Sequence, residues 1–220
     1  MKLKDHQLRA LGGVGGPAAF IAAWLLLGAT RPGYSPVNDP ISRLAAVGAS
    51  SRVPMTGGFL AFGLGVSLYG AELRAAMPGG SGVAAMTTAV ASVGIAASPL
   101  GSTFGDGPHA AFAGLAYLSL ASAPILGGRY LAGHGRRGAA AASVAIGIAS
   151  GASLLASTLV SRQVGLFQRL GLSLGDAWIV ATALWLFSRA GDTQRAGTAG
   201  HEAAEQSQAH VVVGTGVDRV

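Results

Sequence analysis

Six long apolar stretches, uncharged but for one aspartate, recur along the chain: Leu11 to Thr30, Val53 to Ala71, Gly82 to Leu100, Ala110 to Gly128, Gly138 to Val160 and Leu170 to Ser188. As a helix of about 20 residues, each covers a hydrocarbon core of roughly 30 Å, and buried helices of soluble domains rarely repeat that length six times. The expected fold is all-α: a polytopic membrane bundle of six transmembrane helices over residues 10–189. A cytoplasmic N-terminal segment, 1–9, precedes it, and a disordered cytoplasmic tail, 190–220, follows it.

Composition narrows the function classes. Half of the residues are hydrophobic, only 11% are charged, and the charges fall almost wholly between the stretches. A net charge of +6 brings nucleic acid to mind, but the basic residues are scattered singly through loops without an aromatic stripe, so no nucleic-acid partner is expected. There is no Cys, which removes disulfides, thiolate metal sites and cysteine nucleophiles. Arg far outnumbers Lys, and Ala and Gly abound, a bias expected of a bacterium with GC-rich DNA.

Lys2, Lys4 and Arg9 precede an apolar run too long for a usual signal core, so the first helix is expected to be retained. With the start inside, Lys2, Lys4, Arg9, Arg74, Arg129, Arg136, Arg137, Arg189, Arg195 and Arg219 lie on the cytoplasmic side. Arg31, Arg43, Arg52, Arg162 and Arg169 lie outside. That asymmetry follows the positive-inside bias and places both termini in the cytoplasm of a bacterial plasma-membrane protein. Small residues, Gly12 and Gly16, Gly63 and Gly65, Gly147 and Gly151, allow close helix approach. They serve packing inside the bundle or, through the Gly147 to Gly151 face, a second copy or protein partner. Membrane lipids are the other expected partner.

The polar residues able to act cluster on the predicted outer side. Asn38, Asp39, Ser42 and Arg43 lie in the first outer loop, Asp106 and His109 before the fourth span, and Gln168, Arg169 and Asp176 around the start of the sixth. Asp39-Pro40 reads as a helix cap followed by a proline at the first helical position, opening a short amphipathic helix on the surface or lidding the bundle. Asp106 and His109, three apart, are the candidate catalytic pair; Asp106 caps the helix, orients His109 or shares a metal with it. One His with scattered carboxylates does not make a metal site, and no cofactor motif is present, so neither metal nor cofactor is expected. Asp176 is the sharpest single residue. An ionised side chain near mid-membrane costs on the order of 2.5 to 3.5 kcal/mol, so it should face the bundle and find a partner in Arg169, Arg43 or His109.

Three segments carry a family resemblance: Tyr34-Ser35-Pro36-Val37-Asn38-Asp39-Pro40-Ile41-Ser42-Arg43-Leu44-Ala45-Ala46-Val47-Gly48-Ala49, Asp106-Gly107-Pro108-His109 with Gly114 beyond it, and Gly165-Leu166-Phe167-Gln168-Arg169-Leu170-Gly171 leading into Asp176 and Trp178. Across about Leu11 to Ser188 the chain resembles the bacterial membrane-protein family called domain of unknown function 998. The resemblance implies six helices with polar residues gathered at one membrane face, and carries no reaction with it. Three functions are compatible with these residues. The leading one is an outer pocket binding a lipid headgroup, small ligand or partner protein. The others are an enzyme acting on lipid-linked substrates through His109 and Asp106, and a small transporter using Asp176.

Overall fold

The computed structural model describes residues 5–189 of the chain. Six helices carry it: α1 (Asp5–Thr30), α2 (Arg52–Ala76), α3 (Ser81–Ala97), α4 (Gly107–Gly133), α5 (Arg137–Leu159) and α6 (Val164–Gly214), the last described through Arg189. The expected disordered tail, residues 190–220, lies outside the described residues. Five helices, α1, α2, α4, α5 and the Val164–Arg189 part of α6, are long and apolar enough to cross a membrane. The sixth, α3, is an apolar helix of 17 residues. It stops short of the sequence expectation because Ser98 precedes Pro99, and the residue before a proline is driven out of the helical region.

Each helix packs on the next in the chain, and α6 returns to pack on α1, closing a ring. Short connections make most neighbours antiparallel, and across the longer 31–51 connection Gly12 meets Gly65 while Ala23 meets Gly58, so α1 and α2 are antiparallel too. The connections 31–51, 98–106 and 160–163 therefore gather at one end, the lid end, and the turns 77–80 and 134–136 at the other, the base. Leu26, Leu64, Val90, Leu118, Ile148 and Leu184 are exposed on the outside of the ring, the pattern required where lipid is the solvent.

Small residues set the helix spacing. Gly12 and Gly16 of α1 lie on Gly65 of α2, where a Cβ added to Gly65 would sit 2.9 Å from the Gly16 Cα. The Gly147–Gly151 face is occupied by α4 of the same chain: a Cβ at Gly147 would come within 2.7 Å of the Ala121 carbonyl. The short helix expected after the first span is a single 3-10 turn, Ile41–Ala45, and of the two placements open to it, it takes the lid. Ile41, Leu44 and Ala45 are buried in the mouth of the ring against α1, α2 and α6.

The base half is solid. The Tyr69 ring, fully buried, lies with Ala183 of α6 against Gly13 of α1, and its hydroxyl meets the Thr182 hydroxyl at 2.5 Å. Trp178 lies against Gly127 of α4 and donates its indole N–H to the Ser143 hydroxyl at 3.0 Å.

Candidate functional site

The first outer loop is shaped by its own side chains and then pinned by α6. Asp39 does not cap the lid turn. Its carboxylate turns back to accept the Ser35 N–H at 2.8 Å and pairs with Arg43, whose side chain is 58% exposed. The N–H that a cap would satisfy, that of Ile41, instead donates to Gln168 Oε1 at 2.7 Å, so the acceptor comes from 127 residues away rather than from the neighbouring side chain. Gln168 Nε2 donates in turn to the Tyr117 hydroxyl at 2.5 Å, tying lid, α6 and α4 together.

Arg169 is the clamp. It is only 9% exposed, and its Nη1 donates to the carbonyls of Pro36 at 2.6 Å, Asp39 at 3.1 Å and Gly165 at 3.0 Å. Its Nη2 donates to the Tyr34 hydroxyl, and its guanidinium lies 5.2 Å from the Trp24 ring centre. Burial raises the Tyr34 phenol above its ordinary value, against the opposing pull of Arg169. Because loop carbonyls absorb the Arg169 charge, α6 runs through it and begins at Val164, earlier than the apolar pattern indicates. Gly165 permits the contact: a Cβ there would reach 2.5 Å from the Pro36 carbonyl oxygen. The turn before it holds Gln163 at φ 63°, a conformation uncommon outside glycine, and Asn38 Oδ1 accepts the Gln163 N–H at 3.1 Å.

Asp106 and His109 are not brought together as a catalytic pair. Asp106 precedes the first residue of α4 but makes no capping bond; its Oδ1 accepts the Gly101 N–H at 2.7 Å and closes its own loop. His109 sends Nδ1 to the Ser98 carbonyl at 2.8 Å. A carbonyl only accepts, so Nδ1 carries the proton and, in the neutral ring, the lone pair is on Nε2.

Beneath the lid the ring encloses a cavity of about 150 Å³, lined by all helices of the bundle and by Pro40, Ile41 and Ser42 of the lid. Of the expected site residues, Ser42, His109, Gln168 and Asp176 line it; Asn38, Asp39, Arg43 and Arg169 belong to the lid and its fastenings, and Asp106 to the 98–106 connection. The rest of the wall was not foreseen. It includes Phe20, Phe59 and Phe62, whose rings pack 5.3 and 5.4 Å apart around Phe20, and Thr88, Ser92, Tyr117, Ser157 and Thr158. In sequence the phenylalanines resemble lipid-facing residues, and the hydroxyls resemble small packing residues.

Asp176 lies about twelve residues into α6, roughly 18 Å from its start and near mid-span. It is 2% exposed, and neither carboxylate oxygen has a hydrogen-bond partner among the described residues. The expected ion pair is absent for a directional reason: helical side chains lean toward the N-terminus, so Arg169 reaches outward to the lid while Asp176 stays behind it. Arg43 is held at the surface by Asp39, and the Nδ1 proton of His109 is committed to Ser98. Among the described residues, no three His, Cys, Asp or Glu side chains gather as metal ligands.

No curated protein and no solved structure matches the chain. The family described as "Protein of unknown function (DUF998)" matches residues 14–185, and those residues hold the lid, the clamp and the cavity. This multi-pass integral membrane protein therefore belongs to that family.

Proposed function

We propose that the protein is a bacterial plasma-membrane binding protein whose lidded cavity takes a small ligand from the outer face, with both termini in the cytoplasm. In this layout residues 1–9 form the inner N-terminal segment, 10–189 the bundle and 190–220 the cytoplasmic tail, in keeping with the distribution of Lys and Arg. The observation that carries the reading is Asp176: a buried carboxylate with two unpartnered oxygens lining a lidded cavity is costly, and a bound ligand is what would offset that cost.

The geometry favours a small ligand over a lipid headgroup, because Arg169 spends its Nη groups on the lid and Arg43 is paired with Asp39. It also favours binding over catalysis by Asp106 and His109, which are committed to separate backbone groups. Native mass spectrometry of the gently extracted protein beside Asp176→Asn tests this. A stoichiometric small mass present in wild type and lost in the variant is expected; a bare protein in both would count against the reading. A second reading, carriage of the same ligand across the membrane, draws on the mid-span depth of Asp176. It requires flux in reconstituted vesicles that Asp176→Asn abolishes.

A further inference from the structure

We infer that the ligand is a small organic ammonium ion, an inference that rests on the cavity being a ligand site and names its chemistry. Several of the hydroxyl and amide protons in the cavity wall are already spent. Ser92 spends its hydroxyl proton on the Phe59 carbonyl at 2.9 Å and Ser157 on that of Leu154 at 2.6 Å. Thr158 spends its own on the Leu155 carbonyl at 2.8 Å. Both ends of the Gln168 amide are taken by Ile41 and Tyr117. The hydroxyls therefore present lone pairs to the same cavity that the unpartnered Asp176 carboxylate lines. Such a wall recognises a group that donates hydrogen bonds and carries positive charge, and it repels an anion.

The phenylalanines decide which kind of cation. A bare metal ion requires a shell of several oxygens, whereas Phe20, Phe59 and Phe62 supply ring faces that attract an ammonium and cover its alkyl part. Size sets the limit: an apolar cavity of about 150 Å³ accommodates a molecule the size of benzene. No Lys or Arg lines the cavity to compete for Asp176.

The test uses ligand-observed NMR titrations of the full chain in nanodiscs with three probes of one shape, butylammonium, butanol and butyrate, and sodium chloride as a fourth. Butylammonium is expected to bind saturably, roughly tenfold or more tighter than butanol, with butyrate not binding. Asp176→Asn should weaken butylammonium by roughly tenfold or more while leaving butanol unchanged. Phe62→Leu, which keeps an apolar wall but removes a ring face, should weaken it by a smaller factor and guards against misfolding of the aspartate variant. If butanol binds as tightly as butylammonium, or butyrate binds best, and Ala116→Leu abolishes that binding by filling the cavity, the ammonium inference falls and the ligand-binding reading stands. Competition by sodium with the same dependence on Asp176 replaces the ammonium with an inorganic cation. Absence of binding by every probe overturns both.

Discussion

The two halves of the ring are held together by different forces. At the base, Tyr69, Leu73, Trp178 and Ile179 fill the interior, and the polar tips of the large rings are paired, the Tyr69 hydroxyl with Thr182 and the Trp178 indole with Ser143. At the lid end the interior is left open, and cohesion comes from hydrogen bonds fanning out from Gln168 and Arg169 to a loop more than a hundred residues away. Packing makes a rigid floor; directional bonds make a cover that closes over a space. A binding cavity needs both, since a packed lid end leaves no room and a loosely bonded base lets the ring collapse into it.

The largest expected effect comes from cutting the clamp. Arg169→Ala removes charge-assisted bonds to three carbonyls and one phenol, and such bonds contribute about 1.5 to 3 kcal/mol each, so a loss of at least about 3 kcal/mol is expected in thermal or denaturant unfolding. Hydrogen exchange should rise across 31–51 while the 69–77 region stays protected. Equal exchange at both ends would erase the distinction between a bonded lid and a packed base.

A matched pair of small-to-large substitutions probes the difference in density. At the base, Gly127→Ala places a Cβ 2.6 Å from the Trp178 ring and should destabilise by about 1 to 3 kcal/mol. Under the lid, Ala116→Val adds volume to an open cavity and should be neutral or stabilising by up to about 1 kcal/mol. Melting temperatures that fall equally for both variants would mean the cavity collapses in the membrane.

Asp176 is where stability and function are expected to diverge. Replacing an unpartnered buried carboxylate by Leu should raise stability by about 1 to 3 kcal/mol and abolish ligand binding together. Lowered stability in Asp176→Leu would instead identify a structural partner for the carboxylate.

What the sequence shows of all this follows from what a linear pattern can encode. The six helices are legible because charges are excluded from lengths set by the bilayer, a constraint acting on each segment alone. The lid is half legible: Asp39-Pro40 marks a turn, but whether Asp39 caps it depends on Gln168 arriving from α6. The cavity is not legible, because Phe20, Phe59 and Phe62 look like lipid-facing residues until the ring turns them inward. Asp176 stands out for its charge, yet its lack of a partner follows from the direction in which Arg169 leans, which only the helix start at Val164 fixes.

The smallest effect is the most specific to the clamp. Tyr34 accepts a bond from Arg169 and donates one to the Pro40 carbonyl at 3.2 Å, so Tyr34→Phe should cost about 0.5 to 1.5 kcal/mol at neutral pH. Burial holds the phenol above its ordinary value of 10.0 in the folded protein. The neutral phenol thus contributes its full stability below that value, and the contribution fades as pH rises past it and toward the higher folded value, because the unfolded chain ionises first. The deficit of Tyr34→Phe relative to wild type should therefore shrink as melting temperatures are followed from about pH 9 to about pH 11, the other tyrosines cancelling between the two proteins. A deficit that stays constant over that range would mean that the phenol is solvated and that Arg169 holds the lid through the carbonyls alone.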